Sequence, residues 1–377
     1  MKKYFGQFYS KNLNKDIKKF KNTIIKNKDK IFIEPFVGEG DLLFIYLEIM
    51  ENEGFSSKEL FKNGKIKCYD ISKENVNKLK EKLINLGFEK KDIEKSIFVN
   101  DSLKINPLKE EDAFIITNPP YLYKTPAKKL NYDMSYFNTY SDLYELAINL
   151  YKDFDGIWIV PSNIYFSTHT KIIQEIITKI DNIVIHQNTK FDDTDISITI
   201  FEINNKLNNK ELIIGDKIFK IKNNKLFFPE IRNSSKTYKY TFGFYDKDIE
   251  KEGKTFITDT GIEVRTSKNI KNSLIIKMFD STSKQDIGLY TTEGINGDIL
   301  FNKISSRMYF QLFFNNEVNI ELLMKNFNEK IIKLREKYDS AFLTNFLSVS
   351  KNNFNRKRMS ISQAKFLLNE TIKELDR

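Results

Sequence analysis

Ala113-Phe114-Ile115-Ile116-Thr117 runs directly into Asn118-Pro119-Pro120-Tyr121. The first five residues are apolar or β-branched, which predicts a short buried strand in a parallel sheet. The two prolines fix φ near about −65° and remove two backbone donors, so the turn that ends the strand is stiff and its carbonyls can accept hydrogen bonds. An amide and an aromatic ring at such a turn predict a seat for a flat group that bears an amino group.

Similar apolar runs recur along the first half of the chain and alternate with amphipathic stretches, which predicts βα units and a parallel sheet. The predicted strands are Lys30–Glu34, Lys65–Tyr69, Ser96–Asn100, Ala113–Thr117, Gly156–Val160, Ile183–Gln187 and Ile196–Ile203. The predicted helices, which have apolar residues at helical spacing, are Asp41–Glu53, Lys73–Leu86, Asp142–Lys152 and Lys171–Ile180. We therefore expect an α/β domain with a Rossmann-like, mostly parallel sheet of seven strands.

Polar motifs follow the first four predicted strands. The first strand enters Glu34-Pro35-Phe36-Val37-Gly38-Glu39-Gly40-Asp41, where glycines let the backbone approach a ligand and aim helix N–H groups at it. The second strand leads to Asp70, which can take both hydroxyls of a ribose, and the third leads to Asp101. Because the carboxyl ends of parallel strands meet at one edge, these motifs and Asn118–Tyr121 predict a single site, although either acid alone could be a helix N-cap.

Composition narrows the function classes. The net charge of +10 favours a polyanionic partner, although a lysine-rich solubilising surface would give the same balance. One cysteine and two histidines argue against a disulfide framework and against a metal site. The sequence has no apolar run of 18 residues and no secretory signal pattern after Met1, so we expect a cytoplasmic protein that does not enter a membrane.

A compositional boundary divides the chain. All seven arginines lie beyond residue 231 and all seven prolines lie at or before Pro229. Asn- and Lys-rich residues 204–210 resemble a linker, so we expect one domain over residues 1–205 and another over 206–377. In the second part, residues 217–228 predict a hairpin and residues 317–338 and 359–376 predict helices, which together indicate an α+β domain.

The ordered motifs resemble those of DNA amino-methyltransferases that use S-adenosyl-L-methionine, in particular the adenine-N6 group. The resemblance covers roughly residues 5–203. It rests on Phe5–Ser10, Glu34–Asp41, Asp70, Asp101, Asn118–Tyr121, Asp142–Tyr144, Trp158–Ser162 and Phe191–Ser197. The catalytic motif follows the cofactor motif and the remaining large block is C-terminal, which is the gamma-type arrangement of restriction-modification enzymes. Two departures are Ser10-Lys11 where relatives often have Thr-Pro, and Ala147 where some have an aromatic residue.

The resemblance implies a role for each matching residue. Catalysis falls to Asn118, Pro119, Pro120 and Tyr121, and the flipped adenine would stack between Tyr121 and Phe191. Cofactor binding falls to Tyr9, Ser10, Glu34, Pro35, Phe36, Gly38, Gly40, Asp70, Ile71, Asp101, Ser102 and Asn118. No metal is required, because oxygen acceptors at Asn118 and Pro119 would localise the adenine N6 lone pair and stabilise the charge that develops there.

The implied partner is double-stranded DNA, read by the C-terminal domain of a monomer. Guanidinium groups bind guanine bidentately where ammonium groups cannot. We therefore expect DNA contacts from Arg232, Arg265, Arg307, Arg356 and Arg358. A separately encoded cognate restriction endonuclease is a further expected partner.

Other functions stay open from the sequence. Cytosine N4, structured RNA and a protein glutamine amide each present a planar amino group to a motif of this kind. A nucleic-acid-binding protein with a silent methyltransferase fold is the alternative from a different class. The intact Asn118 and Tyr121 count against that alternative.

Overall fold

The computed structural model describes most of the first 227 residues and parts of the remainder. The described residues are 14–104, 112–165, 171–186, 198–214, 217–227, 242–244, 256–257, 263–264, 274–281, 284–291, 309–314, 319–338, 344–345, 356–359 and 361–375. The chain forms two compact units, Met1–Phe227 and Phe228–Arg377. Each unit is described by itself.

A ten-stranded sheet runs through the first unit. Its strands are β1 (Ile31–Glu34), β2 (Ile66–Asp70), β3 (Ile97–Val99), β4 (Ala113–Thr117), β5 (Asp155–Pro161), β6 (Ile180–His186), β7 (Ile198–Ile203), β8 (Glu211–Ile214), β9 (Lys217–Lys222) and β10 (Lys225–Phe227). Their order across the sheet is β10-β9-β8-β6-β7-β5-β4-β1-β2-β3. The first five strands in sequence pair in parallel, and β7 runs antiparallel between β5 and β6.

The order of the parallel strands creates a topological switch point. After β3 the chain crosses back to form β4 on the other side of β1, with Ile33 opposite Ile115. At such a switch point in a parallel sheet, we expect a ligand-binding crevice outside the carboxyl ends of these two strands. Glu34 ends β1 and Asn118 follows β4, so both residues border this crevice.

The prediction of a large, mostly parallel sheet is confirmed, but the predicted number of seven strands is wrong. Residues 211–227 add β8, β9 and β10 beyond β6. The β9–β10 hairpin itself matches the predicted one. Its turn residues Asn223 and Asn224 have φ of 52° and 53°, the left-handed conformation that a two-residue hairpin turn requires and asparagine tolerates. The first compact unit consequently ends at Phe227, whereas the sequence placed the boundary after residue 205.

Helices and short 3-10 turns flank the sheet. The helices in the described residues of the first unit are α1 (Asn14–Ile17), α2 (Lys21–Lys26), α3 (Asp41–Asn52), α4 (Ser57–Lys62), α5 (Lys73–Asn85), α6 (Lys90–Glu94), α7 (Lys124–Lys129), α8 (Leu143–Tyr151) and α9 (Ile173–Ile176). The predicted helix Lys171–Ile180 is too long, because residues 177–179 form a 3-10 turn and Ile180 already belongs to β6. Within the described ranges, no helix has the length and apolarity needed to cross a bilayer.

The core of the first unit lies on both sides of the central strands. Trp158 on β5, Phe114 on β4 and Phe32 on β1 are almost completely buried. The ring of Phe32 stacks on that of Tyr46 from α3 with 4.1 Å between centroids. This packing makes β1, β4 and β5 a rigid support for the residues at their carboxyl ends.

The second unit contains an antiparallel sheet and two helices in its described parts. Four strands have the order β11 (Phe242–Phe244), β16 (Tyr309–Phe314), β14 (Leu274–Lys277) and β15 (Gly288–Thr291). Short pairs form between β12 (Phe256–Ile257) and β13 (Glu263–Val264), and between β17 (Thr344–Asn345) and β18 (Lys357–Arg358). The helices are α10 (Ile320–Tyr338) and α11 (Ile361–Leu375), close to the two predicted ones.

A buried carboxylate joins several elements of the second unit. Asp280 is fully buried and receives two hydrogen bonds from the Arg335 guanidinium, at 2.8 and 2.9 Å. The Lys357 backbone N–H also donates to it, at 3.0 Å. A buried carboxylate is stable only with such paired donors, so Asp280 ties β14, α10 and β18 together.

Candidate functional site

Glu34 is the first site residue, and its environment is unusual for a carboxylate. It is 2% exposed, and its Oε2 atom has no hydrogen-bond partner among the residues that the structure describes. Burial raises the pKa of Glu34 well above its usual range, the charges of Asp41 and Asp70 raise it further, and a hydrogen bond from the Leu43 backbone lowers it. A positively charged ligand group beside Oε2 would stabilise the ionised form and satisfy the unpaired oxygen.

The turn between β1 and α3 is held by Asp70 at the end of β2. The Gly38 backbone N–H donates to Asp70 Oδ2 at 2.8 Å, and the Ser72 N–H donates to Oδ1 at 2.7 Å. Gly38 has φ of 56°, a left-handed conformation that suits glycine. Each carboxylate oxygen has a second lone pair, so Asp70 can hold the turn and still accept hydrogen bonds from ligand hydroxyls.

Close packing requires a residue without a side chain at Gly40, apart from any contact with a ligand. Its φ is 94°, and a Cβ atom at this position would lie 2.5 Å from Leu79 Cδ1 of α5. The absence of a side chain therefore lets α3 begin close against α5. The predicted role of Gly40 as a backbone cradle for the cofactor stays a prediction.

Asp101 and Ser102 follow β3 and meet the segment after Asn118–Tyr121. The Tyr136 hydroxyl donates to Asp101 Oδ2, and the Lys104 ammonium lies 4.9 Å from the Tyr136 ring centroid. Ser102 is 2% exposed, and its carbonyl accepts a hydrogen bond from Tyr151 of α8 at 2.8 Å. Residues 100–104 are thus anchored to two other parts of the site.

The Asn118–Tyr121 turn projects from the end of β4 beside β5. Pro119 is buried and Asn118 is half-buried. The Tyr121 hydroxyl is bonded to the Asn118 side-chain amide and lies 2.8 Å from the Ile159 carbonyl oxygen of β5. The Tyr121 ring is 5% exposed and meets the Tyr144 ring edge-on, with 6.2 Å between centroids. A base could stack on Tyr121 only after neighbouring side chains had moved, so that role stays a prediction.

Asp142, which precedes α8, fixes the far side of the turn. Its Oδ1 accepts the Leu122 backbone N–H at 3.1 Å, and the Lys124 N–H donates to the Ser141 carbonyl at 2.8 Å. Burial raises the pKa of Asp142 to about 7, backbone hydrogen bonds lower it, and the charge of Glu145 raises it. The residues after the two prolines are therefore held from β5 on one side and from the start of α8 on the other.

The structure brings together the site residues that it describes at one edge of the sheet. Glu34, Pro35, Phe36, Gly38, Gly40, Asp70, Ile71, Asp101, Ser102 and Asn118–Tyr121 all lie at or just beyond the carboxyl ends of β1 to β4. Ile71 is 41% exposed, which leaves an apolar surface next to Asp70. Tyr9, Ser10, Phe191, Arg232, Arg265 and Arg307 lie outside the described residues.

Two of the predicted DNA-contacting arginines are described, and they differ. The Arg356 Nε–H donates to the Asp280 carbonyl at 2.8 Å, and its guanidinium lies 4.9 Å from the Phe279 ring centroid. Arg358 is exposed on β18. Arg356 therefore has a structural role within the second unit, and DNA contact by either arginine stays a prediction.

Sequence reasoning missed several residues that organise this site. Tyr136, Asp142 and Ile159 make the contacts that hold Asp101, Leu122 and Tyr121. Asp142 had a signal, because it begins the Asp142–Tyr144 motif at a helix start. Ile159 lies within the Trp158–Ser162 motif, but the contacts of its carbonyl and of the Tyr136 hydroxyl are recognisable only when the chain is folded.

No family model and no curated protein matches the sequence. Three structural neighbours are a modification subunit of a candidate type I restriction enzyme from Vibrio vulnificus, a DrdV–DNA complex, and the M protein of the type I restriction enzyme EcoKI. Their identities to this chain are 15%, 12% and 10%, and their TM-scores are 0.42, 0.40 and 0.39.

The extent of these structural matches varies. They cover 55%, 56% and 95% of this chain and 46%, 28% and 69% of the respective neighbours. The chain thus spans less than half the length of the first two. Similarity at this level carries no functional argument, so the chain's own residues must support any assignment.

Proposed function

We propose that the chain is a methyltransferase that transfers the methyl group of S-adenosyl-L-methionine to N6 of an adenine in double-stranded DNA. The observation that carries this proposal is the pairing of two groups at the switch point. Glu34 presents an unpaired buried oxygen at the end of β1, and Asn118 presents an amide at the end of the adjacent β4. A cationic donor and a planar amino acceptor would thereby be held side by side.

The residues around the β1–α3 turn fit the cofactor. S-adenosyl-L-methionine carries a sulfonium, an α-ammonium and a ribose diol. The α-ammonium would satisfy Glu34 Oε2 and favour its ionised form, and the diol would donate to Asp70. The exposed apolar side chain of Ile71 would pack against the adenine ring, and Asp101 would accept from its amino group.

The cofactor supplies an electrophilic methyl group, and the chain's residues make the acceptor nitrogen reactive. The lone pair of adenine N6 is delocalised into the ring. Hydrogen bonds from its two N–H groups to Asn118 Oδ1 and to the Pro119 carbonyl would localise that pair and stabilise the charge that develops during transfer. Transfer would form the N–C bond as the S–C bond breaks with its electrons left on sulfur, and N6 would then lose a proton to water.

Orientation supplies much of the remaining rate enhancement. Well-aligned reacting atoms can lower the barrier by about 7–11 kcal/mol. Asn118 and Pro119 are suited to this because β5 and Asp142 hold the surrounding turn from two sides. The target base would have to leave the duplex to reach this turn.

Sequence selection would fall to the second unit, in keeping with a restriction-modification role. All seven arginines of a chain with net charge +10 lie after residue 231. Arginine is the side chain best suited to bidentate reading of guanine in the major groove. A separately encoded endonuclease would be the functional partner of such an enzyme.

Replacement of Asn118 by alanine tests the assigned chemistry. Asn118→Ala should bind S-adenosyl-L-methionine normally but lose methyl transfer to DNA by a factor of about 100 or more, because one acceptor for N6 is removed. Asn52→Ala, at an exposed position at the end of α3, is the control and should retain full transfer. Near-normal turnover of Asn118→Ala in a methyl-tritium assay would refute the role of the amide.

A further inference from the structure

The hydroxyl of Tyr121 makes a contact that the proposed chemistry does not use. It is bonded to the Asn118 amide and lies 2.8 Å from the Ile159 carbonyl. The ring is 5% exposed, so the hydroxyl is shielded from water. Burial raises the pKa of Tyr121 well above its usual range, with smaller contributions from Asp142 and Tyr144, so the phenol keeps its proton at neutral pH.

A phenol has one hydrogen to donate, but two groups here compete for it. The Ile159 carbonyl can only accept, and so can the Asn118 Oδ1 atom. Rotation of the amide by about 180° around its terminal bond exchanges Oδ1 with Nδ2. Nδ2 then donates to the phenol oxygen while the phenol donates to Ile159, so the two acceptors no longer share one hydrogen.

We propose that Tyr121 is a positioning residue that fixes the orientation of the Asn118 amide through this hydroxyl relay. With Nδ2 bound to the phenol oxygen, Oδ1 is turned away from Tyr121. In that orientation Oδ1 can accept the N–H of the target amino group. The inference rests on the proposed function for its catalytic consequence, but the orientation of the amide can be measured without any substrate.

The relay also ties the catalytic turn to its neighbouring strand. Ile159 lies on β5, which pairs in parallel with β4, and Asn118 directly follows β4. The hydroxyl therefore links the ends of two adjacent, buried strands. A phenylalanine at position 121 would fill the same space but remove the hydrogen bond through which the hydroxyl distinguishes the two orientations of the amide.

The kinetic test compares Tyr121→Phe with Tyr165→Phe. Tyr165 is an equally buried tyrosine whose hydroxyl lies 3.2 Å from Thr199 Oγ1, so its variant controls for loss of one buried hydroxyl. We expect Tyr121→Phe to lower the single-turnover methylation rate about tenfold, the equivalent of one hydrogen bond, with the Kd for S-adenosyl-L-methionine and DNA unchanged. Tyr165→Phe should keep the wild-type rate. An unchanged rate for Tyr121→Phe on DNA that the wild type methylates would overturn the relay.

A second measurement tests the amide without activity. In protein labelled with 15N-asparagine, the Asn118 side-chain signal, identified by its loss in Asn118→Asp, should shift in Tyr121→Phe and exchange its protons faster. The same signal should stay in place in Tyr165→Phe. An Asn118 signal unaffected by Tyr121→Phe would refute the proposed orientation of the amide. This result does not depend on whether the wild type methylates DNA, so the orientation and the proposed function can fail separately.

Discussion

Replacement of Gly40 by alanine tests the close packing of the turn that follows β1. Gly40 has φ of 94°, and an added Cβ would lie 2.5 Å from Leu79 Cδ1 and 3.1 Å from Phe44 Cε2. Leu79 is fully buried, so its displacement disturbs the core. A left-handed alanine costs about 1–2 kcal/mol, and overpacking adds about 1–3 kcal/mol. Gly40→Ala should therefore lower the free energy of unfolding by about 2–5 kcal/mol.

Gly54 provides a matched control. Its φ is 86°, but nothing lies within 4 Å of a Cβ built there. Gly54→Ala should cost only the conformational term of about 1–2 kcal/mol. Denaturant unfolding of the wild type and both variants measures these differences. Equal losses for the two variants would refute the close-packing argument, and no loss in either would refute the conformational one.

Three further predictions concern charged groups. Burial raises the pKa of Asp142 to about 7 in the folded chain. Between about pH 4 and pH 7 the folded chain therefore keeps a proton that the unfolded chain releases. Because of this group, the free energy of unfolding should fall as pH rises through that window. Asp142→Asn should flatten this dependence of Tm on pH; an unchanged slope would contradict it. Arg358→Ala should weaken DNA binding and reduce the slope of log Kd against log salt by about 1. Arg356→Ala should lower the Tm, because it removes the contacts with Asp280 and Phe279. An unchanged Tm in Arg356→Ala would contradict its structural role. An unchanged salt slope in Arg358→Ala would contradict its contact with DNA.

The sequence predicted the central fold because local pattern and burial agree there. The strand Ala113–Thr117 was predicted to the residue, and Asp41–Glu53 is helical over all but its last residue. The apolar residues form a continuous run in the strand and recur at helical spacing in the helix, and turn-forming residues lie next to both segments. The convergence of Glu34, Asp70 and Asn118 on one edge followed from the parallel topology alone.

Other features depended on tertiary contacts that no local pattern reports. Strand β8 has alternating exposed and buried residues over only four positions, and it joins the sheet through β6. The burial of Tyr121 and the intramolecular contacts of Arg356 likewise require partners distant in sequence. The aromatic and basic residues of a motif were therefore identifiable from sequence, whereas the exposure and the contacts of their side chains were not.

The central claim is most directly tested by identifying the nucleoside that the chain modifies. The purified chain is incubated with methyl-tritiated S-adenosyl-L-methionine and double-stranded genomic DNA, and the DNA is digested to nucleosides and separated by chromatography. The proposed function predicts label in N6-methyldeoxyadenosine, and its loss with Asn118→Ala. Label in N4-methyldeoxycytidine, or no label in DNA while RNA or protein is methylated, would contradict it.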